Sequence, residues 1–198
     1  MSEPILHYPL SIRDGHLFIE DCDTVELAER FGTPLFVVSE SLLVRNAHNY
    51  QAAFTKHWPE GRARIMAAIK ANPITAVRRI LTREGIGCDT FGPGELELAI
   101  RGGVPNEDIA VNGSIKNPGI IRKAIERDIH IVLDSPVEVS YCEAVARDLG
   151  KKAQVMLRLK PFLEDLDLPS DFFPSRTIRE MTQTVKYGIP NSELLPLV

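Results

Sequence analysis

The stretch Arg64-Ile65-Met66-Ala67-Ala68-Ile69-Lys70-Ala71-Asn72-Pro73 is a short apolar run that ends on one lysine and is then stopped by proline. The run is too short for a helix and is typical of a strand that is buried on both faces. At the mouth of such a strand the ammonium of Lys70 loses hydration, which disfavours its charged form and leaves an amine that can attack a carbonyl. Alternatively, Lys70 ends the strand and extends its charge into water. The stretch alone favours this alternative, whereas the rest of the chain favours the reactive amine.

Composition restricts the classes of protein to which the chain can belong. The chain has 198 residues, of which 44% are hydrophobic and 25% charged, and 23 basic against 27 acidic residues give a net charge of -4. No basic cluster is present, so we expect no nucleic-acid partner. The N-terminal residues lack a leader pattern and no apolar run approaches the roughly 20 residues of a membrane span, which predicts a cytoplasmic protein without a membrane contact. The cysteines are widely spaced, which predicts no metal site.

The first 34 residues differ in pattern from the rest of the chain. They are predicted to form a short β segment, because turn residues separate two runs of strand formers and a helix with a cap follows. The predicted elements are strands over residues 5–12 and 16–19, the turn Asp14-Gly15 between them, and a helix that begins at Asp23-Thr24 and ends at Gly32.

From residue 35 onward, short apolar runs alternate with helical patterns, which predicts a second domain over residues 35–198. Strands that alternate with helices pair in parallel through right-handed crossovers, either in an open doubly wound sheet or in a β/α barrel. The predicted strands are residues 35–38, 65–70, 85–89, 109–112, 130–134 and 153–159, and the predicted helices follow the first five of them, with bounds near 39–57, 74–84, 95–101, 118–127 and 136–149.

Two features favour the barrel. The first strand is followed by Ser39-Glu40-Ser41 instead of a glycine-rich dinucleotide loop. In addition, successive strands end on polar residues, and polar residues at the carboxyl ends of barrel strands converge into a site. Alternatively, each of them only ends its strand or caps the next helix, which can be the whole role of Asp134. The strand ends in question carry Lys70, Asp89, Asn112, Asp134 and Arg158.

With these residues in place, the chain resembles the fold-type III pyridoxal-phosphate decarboxylases, the family of diaminopimelate, ornithine and arginine decarboxylases. Five motifs occur in the family's order, and the diaminopimelate branch is the most similar. The resemblance implies an alanine racemase-like TIM barrel, here incomplete with about six strands, whose N-terminal segment joins the β domain of a full-length protein. The motifs are Ala68-Ile69-Lys70-Ala71-Asn72-Pro73, Cys88-Asp89-Thr90-Phe91-Gly92-Pro93-Gly94-Glu95-Leu96, Val111-Asn112-Gly113-Ser114-Ile115-Lys116-Asn117, Met156-Leu157-Arg158-Leu159-Lys160-Pro161 and Lys186-Tyr187-Gly188-Ile189-Pro190.

The resemblance also implies roles for individual residues. Lys70 would form a Schiff base with pyridoxal 5'-phosphate and be displaced by the amine of an amino-acid substrate, either diaminopimelate-like or basic. Arg158 would approach the phenolic oxygen side of the cofactor, and Asp89 would balance the charges of Lys70 and Arg158. Asn112 would line the ring and Glu95 would belong to the same mouth, although a carboxylate that stabilises the helix N-terminus explains Glu95 equally well. A full-length protein would be a homodimer.

The chain departs from the family pattern in two respects. Residues 161–198 contain no histidine, although diaminopimelate decarboxylases carry one there that stacks on the cofactor ring. A phenylalanine, such as Phe162, Phe172 or Phe173, is the candidate substitute. The chain also corresponds to about half of a family member, without the glycine-rich phosphate cradle and the acidic partner of the ring nitrogen. We therefore expect residues 1–198 alone to be inactive as a decarboxylase.

Other functions remain open from the sequence. A racemase or a small pyridoxal-phosphate carrier protein shares a lysine after a similar strand, but Asn72-Pro73 replaces the continuation that a racemase would have. A non-catalytic homologue that binds a decarboxylase subunit is a further alternative. A binding protein would need none of Lys70, Asp89 and Arg158, so the decarboxylase is the leading hypothesis.

Overall fold

A computed structural model describes residues 7–114, 116–160, 177, 180 and 187–194. By its internal contacts the chain forms two compact units, one of Met1–Ile65 with Arg79–Ile86 and one of Met66–Arg78 with Gly87–Val198. These units do not test the predicted domain boundary after residue 34, which stays a prediction.

The first unit contains a three-stranded antiparallel sheet in the order β1-β2-β3. Its hairpin turns at Asp14 and Gly15, both with positive φ, as the sequence predicted. The first predicted strand begins too early, because Leu10 N–H donates to the His7 carbonyl at 3.0 Å and closes a turn there; residues 5 and 6 lie outside the described part. The strands are β1 (Leu10–Arg13), β2 (His16–Ile19) and β3 (Cys22–Asp23), of which the short β3 was not predicted.

Two helices follow this sheet, and their starts are set by side-chain caps. Asp23 accepts a hydrogen bond from Val25 N–H at 2.7 Å and starts α1 (Thr24–Phe31), which ends at Gly32. Ser39 accepts from Leu42 N–H at 3.0 Å and starts α2 (Glu40–His57). Both predicted caps are confirmed, because each side-chain oxygen satisfies a backbone donor that the first helical turn leaves free.

The predicted strand over residues 35–38 is wrong. Phe36 is 98% exposed, and the neighbouring Leu35, Val37 and Val38 are exposed as well. Within the described residues this segment takes part in no β-ladder. An apolar pattern shows that a segment favours burial, but a strand also needs a neighbour that pairs with its N–H and C=O groups, and the pattern does not reveal the neighbour.

The second unit is built on a five-stranded parallel sheet whose strands pair in chain order. The predicted alternation of strands and helices from residue 65 onward is confirmed, with strands shorter than expected. The strands are β4 (Met66–Ala68), β5 (Gly87–Thr90), β6 (Ile109–Val111), β7 (His130–Leu133) and β8 (Val155–Leu157). The connecting helices are α3 (Thr75–Arg83), whose residues from Arg79 onward belong to the first unit, α4 (Pro93–Arg101), α5 (Pro118–Glu126) and α6 (Pro136–Leu149).

A sixth parallel partner lies beyond β8, at a position that the sequence did not predict. Arg158 N–H donates to the Leu133 carbonyl at 2.9 Å, and the Arg158 carbonyl accepts from Ile189 N–H at 2.7 Å. Directly after it, β9 (Leu159–Lys160) pairs in parallel with β10 (Ile189–Pro190), which leads into α7 (Asn191–Leu194). Arg158 thus connects two ladders, and parallel pairing continues in chain order.

The hydrophobic core of the second unit joins the sheet to helices α4, α5 and α6. Burying one leucine, isoleucine or valine side chain stabilises the folded state by about 1.5–3 kcal/mol. Helices α5 and α6 begin directly after side-chain caps, Asn117 and Ser135, with proline at the first helical position. Short connections of this kind leave the polar residues that follow β6 and β7 at one edge of the sheet. Fully buried members of the core are Leu96, Ala99, Ile109, Val111, Ile121, Ala124, Ile129 and Ile131.

Candidate functional site

Lys70 lies in a 3-10 turn, Ile69–Ala71, directly after β4. Because the strand ends at Ala68, Ile69 is the buried residue and Lys70 is exposed. The expectation that its ammonium loses hydration is therefore wrong for the described structure. Its Nζ lies 4.7 Å from the ring centroid of Phe91, within the range of a cation–π contact. The amine is accessible and is held next to an aromatic face.

Asp89, in β5, carries a carboxyl whose pKa is influenced by the other four predicted site residues. Burial raises the pKa of its carboxyl, and the nearby charge of Glu95 acts in the same direction. A hydrogen bond with the Asn112 side chain and the positive charges of Lys70 and Arg158 act in the opposite direction. One half-buried carboxyl therefore interacts with each of the other four residues that the sequence singled out.

Asn112 follows β6 and carries an amide side chain with two polar neighbours. Its Oδ1 accepts from Gly113 N–H at 2.8 Å, and its side chain is hydrogen-bonded to Asp89. Gly113 has φ +101° and packs so closely that a Cβ would lie 3.0 Å from the Phe91 carbonyl oxygen. A side chain is therefore disfavoured at Gly113 on conformational and steric grounds, and the Asn112 turn lies directly against Phe91.

Glu95 lies in the first turn of α4, and its Oε2 accepts from Phe91 N–H at 2.8 Å. This contact supports the interpretation of Glu95 as a carboxylate that stabilises the helix N-terminus. The bond also fixes the backbone of Phe91, whose ring contacts Lys70. A direct contact of Glu95 with a cofactor remains a prediction.

Arg158 has a direct partner that the sequence analysis assigned differently. Its Nη1 lies 3.3 Å from Asp134 Oδ1, and its guanidinium carbon lies 4.5 Å from the ring centroid of Tyr187. Asp89, the expected partner, feels the charge of Arg158 as the smallest of the five influences on its pKa. Asp134 was interpreted as a possible cap, but Ser135 caps α6. Its place at the end of a strand, like that of the other site residues, was the available signal.

Phe91 and Tyr187 contact the predicted site residues Lys70 and Arg158 but were given no role by the sequence analysis, and Asp134 was named there only as a polar strand end. Phe91 and Tyr187 stand inside quoted motifs, which was the only signal for them. The candidate ring-stacking residues, Phe162, Phe172 and Phe173, lie outside the described residues.

Lys70, Asp89, Asn112, Asp134 and Arg158 lie at or directly after the carboxyl ends of parallel strands, the edge at which β/α proteins carry their functional sites. The sequence model of one family, described as "Pyridoxal-dependent decarboxylase, pyridoxal binding domain", matches residues 40–190. The chain belongs to this family, and its parallel strands form part of the family's β/α barrel.

Curated relatives place the chain close to one branch of the family. A diaminopimelate decarboxylase of Methanocaldococcus jannaschii is 40% identical over 156 residues, which cover 77% of this chain and 35% of the relative. A diaminopimelate decarboxylase of Archaeoglobus fulgidus is 32% identical over 181 residues, which cover 91% of this chain and 40% of the relative. The predicted similarity to the diaminopimelate branch is confirmed.

A solved structure agrees with these relatives. The crystal structure of the M. jannaschii diaminopimelate decarboxylase with L-lysine superposes with a TM-score of 0.83 at 32% identity, and the match covers 95% of this chain and 42% of that one. The chain thus spans about two fifths of the length of the relatives that it matches. In the part of the chain that the structure describes, no helix combines the length and the hydropathy that crossing a bilayer requires.

Proposed function

We propose that the protein that carries this chain is a pyridoxal-phosphate-dependent amino-acid decarboxylase, in which Lys70 binds the cofactor covalently. The observation that carries the proposal is the accessible amine of Lys70, whose Nζ lies 4.7 Å from the centroid of the Phe91 ring and whose charge lowers the pKa of Asp89. The membership of residues 40–190 in the pyridoxal-binding family supports it.

The described residues fit the chemical groups of pyridoxal phosphate. An exposed primary amine can add to an aldehyde, and an arginine with remaining exposure can bind an anionic oxygen. The Arg158 side chain is 34% exposed even though Asp134 holds it, so part of the guanidinium remains accessible. We propose Lys70, Asp89, Asn112, Glu95 and Arg158 as the residues of this chain that line the cofactor.

When bound, the cofactor supplies an electron sink for the electron pair that carbon dioxide leaves behind. The residues of this chain hold the groups around it. Asp89 balances the positive charge of Lys70, and Asn112 restrains Asp89 by a hydrogen bond. Asp134 and the Tyr187 ring hold Arg158 from two sides. Fixed side chains of this kind reduce the reorganisation that a reaction in the site requires.

We further propose that the substrate is diaminopimelate or a basic amino acid and that the full-length protein is a homodimer of the cytoplasm. Two relatives at 40% and 32% identity named diaminopimelate decarboxylase support the substrate, as does the structural neighbour solved with L-lysine. The homodimer depends on the family resemblance, and the cytoplasmic location carries over the prediction made from the sequence.

The covalent role of Lys70 is tested by chemical trapping in the natural full-length protein. Borohydride reduction after addition of pyridoxal phosphate, followed by peptide mapping, should place the pyridoxyl group on Lys70. The variant Lys70→Arg should lose both the label and the visible absorbance of lysine-bound cofactor, because a guanidinium does not form the bond. A label on Lys116 or Lys123, or on no lysine, would contradict the assignment.

The substrate is tested by carbon dioxide release. The same protein is offered diaminopimelate, lysine, ornithine and arginine in turn. Saturable release from one of them, absent in Lys70→Arg, supports the proposal, and a labelled Lys70 without release from any of them contradicts the decarboxylase assignment.

A further inference from the structure

Lys116 and Glu138 form a fully buried ion pair that the proposed mechanism does not use. Lys116 Nζ lies 2.8 Å from Glu138 Oε2, with side-chain exposures of 0% and 5%. Lys116 stands in the loop between β6 and α5, and Glu138 stands in the first turn of α6. The pair thus connects two successive strand-to-helix connections at the edge of the sheet that carries the site.

The remaining hydrogen bonds of the pair all go to the backbone of these two connections. Lys116 Nζ donates to the Gly113 carbonyl at 2.6 Å, and Glu138 Oε1 accepts from Lys116 N–H at 2.8 Å. Glu138 Oε2 also accepts from Asp134 N–H at 2.8 Å. Gly113 is the residue that binds the Asn112 side chain, and Asp134 is the residue that holds Arg158. Each end of the network therefore reaches a neighbour of a proposed cofactor-lining residue.

Stability alone is a weak explanation for this pair. The loss of hydration of two buried charges offsets most of their mutual attraction, and apolar residues of similar volume often serve the fold equally well. Charge-assisted hydrogen bonds to backbone, by contrast, fix distances and directions that apolar packing leaves free. The ion pair fixes the Gly113 carbonyl and the Asp134 N–H relative to each other, which apolar side chains would not do.

We propose that Lys116 and Glu138 are positioning residues, which set the Asn112–Asp89 contact and the Asp134–Arg158 contact at the spacing that the bound cofactor requires. This inference rests on the proposed function, because it assigns Asn112, Asp89 and Arg158 to the cofactor site. Because both side chains are buried, we assign neither Lys116 nor Glu138 a contact with the cofactor or substrate. Lys116 is also unsuited to binding an aldehyde, because its Nζ is buried and is bound to Glu138 and Gly113.

The test uses the full-length protein with pyridoxal phosphate and compares Glu138→Gln with Lys116→Met. Glu138→Gln keeps the volume of the side chain and one acceptor oxygen but removes the charge, so its unfolding midpoint is measured first and kcat is compared only for folded protein. The matched control is Lys123→Met, which breaks an ion pair with Glu97 whose two side chains are 38% and 39% exposed, outside the site. We expect kcat to fall by about 10- to 100-fold in the two pair variants, as a small misplacement of site groups does. We also expect a shifted absorption band of the bound cofactor and little change in the control.

A double variant, Lys116→Met with Glu138→Met, separates positioning from stability. The double variant leaves no buried charge unpaired, so its unfolding midpoint should lie above those of the two single variants, whereas kcat and the cofactor band should stay altered. Recovery of kcat together with stability would show that the pair is merely structural, and so would an unchanged kcat in folded Glu138→Gln. If borohydride fails to label Lys70 in the wild type, the proposed function is overturned and this inference with it. If Lys70 is labelled in all variants, the proposed function stands and the kcat values decide whether the pair has a positioning role.

Discussion

Arg158 donates a hydrogen bond to Asp134 across the ends of two neighbouring strands, with Nη1 and Oδ1 3.3 Å apart. Asp134 has 4% of its side chain exposed and Arg158 has 34%. The two partners therefore differ in their access to water. An arginine that loses its partner can still reach water, whereas a buried carboxylate that loses its partner stays without a countercharge.

This asymmetry predicts which substitution is worse for the free energy of unfolding. Removing one partner of a charged hydrogen bond costs about 1–3 kcal/mol, and we expect Arg158→Met to lie nearer the upper end than Asp134→Asn. Urea unfolding of the two single variants and the double variant gives a coupling energy, expected to be about 0.5–3 kcal/mol. The matched cycle pairs Arg158→Met with Asp89→Asn, and its coupling should be smaller. Equal coupling in the two cycles would contradict the assignment of Asp134 as the main partner.

Asp89 gives a prediction for the dependence of stability on pH. Burial raises the pKa of this carboxyl in the folded protein above its ordinary value of 3.8. The folded state therefore binds the proton more tightly than the unfolded state does, so the contribution of Asp89 is most favourable below pH 3.8 and is lost as the pH rises through the folded pKa. Asp89→Asn cannot ionise, so it does not lose unfolding free energy in this way as the pH rises.

We expect Asp89→Asn to gain unfolding free energy relative to the wild type as the pH rises from about 3 to 7. Urea unfolding across this range measures the difference. Glu97→Gln is the opposite control, because Lys123 and Arg101 lower the pKa of Glu97 to about 2; the wild type should gain relative to that variant over the same range. A difference between Asp89→Asn and the wild type that does not change with pH would exclude the effect.

The cap of α5 gives a prediction that concerns the core. Asn117 Oδ1 accepts from Ile120 N–H at 3.0 Å at the start of the helix that contributes buried Ile121 and Ala124 to the core. Loss of such a cap costs about 1 kcal/mol. Thermal unfolding should therefore show Asn117→Ala to be less stable than the wild type, whereas Asn117→Asp, which keeps an acceptor, should remain close to it. Equal losses in both variants would show that the cap is not the cause.

The parts of the fold that could be predicted are those that a local pattern determines. Apolar runs between helical patterns located β4 to β8, because a strand buried on both faces needs an apolar residue at almost every position. Residues 35–38 have the same pattern and form no strand in the described structure, while β10, with only two residues, has too little pattern to detect. The first error concerns a pairing partner, which local sequence does not encode, and the second concerns the length of the strand.

The residues of the candidate site could likewise be predicted only where a local pattern marks them. Lys70, Asp89, Asn112 and Arg158 could be selected because each follows an apolar run, and parallel strands bring such positions to one edge of the sheet. The Asp134–Arg158 contact and the Lys116–Glu138 pair join residues 24 and 22 positions apart. Their pairing depends on the register of neighbouring strands and on the direction of side chains, and residue types alone do not determine either.

Gly188 provides the last prediction, which concerns the approach of β10 to β9. Its φ is +88°, and a Cβ at this position would lie 2.8 Å from the carbonyl carbon and oxygen of Leu159. Gly150, at the end of α6, also has positive φ, at +60°, but a Cβ there would meet no atom within 4 Å. The two glycines share the conformational requirement and differ in steric contact with backbone.

Substitution of both glycines by alanine separates these effects. Gly150→Ala should cost about 1–2 kcal/mol of unfolding free energy, the usual penalty for a Cβ in the left-handed region. Gly188→Ala should cost more, because Leu159 backbone must also move and the β9–β10 ladder beside Arg158 is disturbed. Urea midpoints measure both costs, and the proposed place of Arg158 beside the cofactor predicts that the visible absorbance of the full-length protein changes as well. If Gly188→Ala were as mild as Gly150→Ala and left that absorbance unchanged, close packing of β10 against β9 would be excluded.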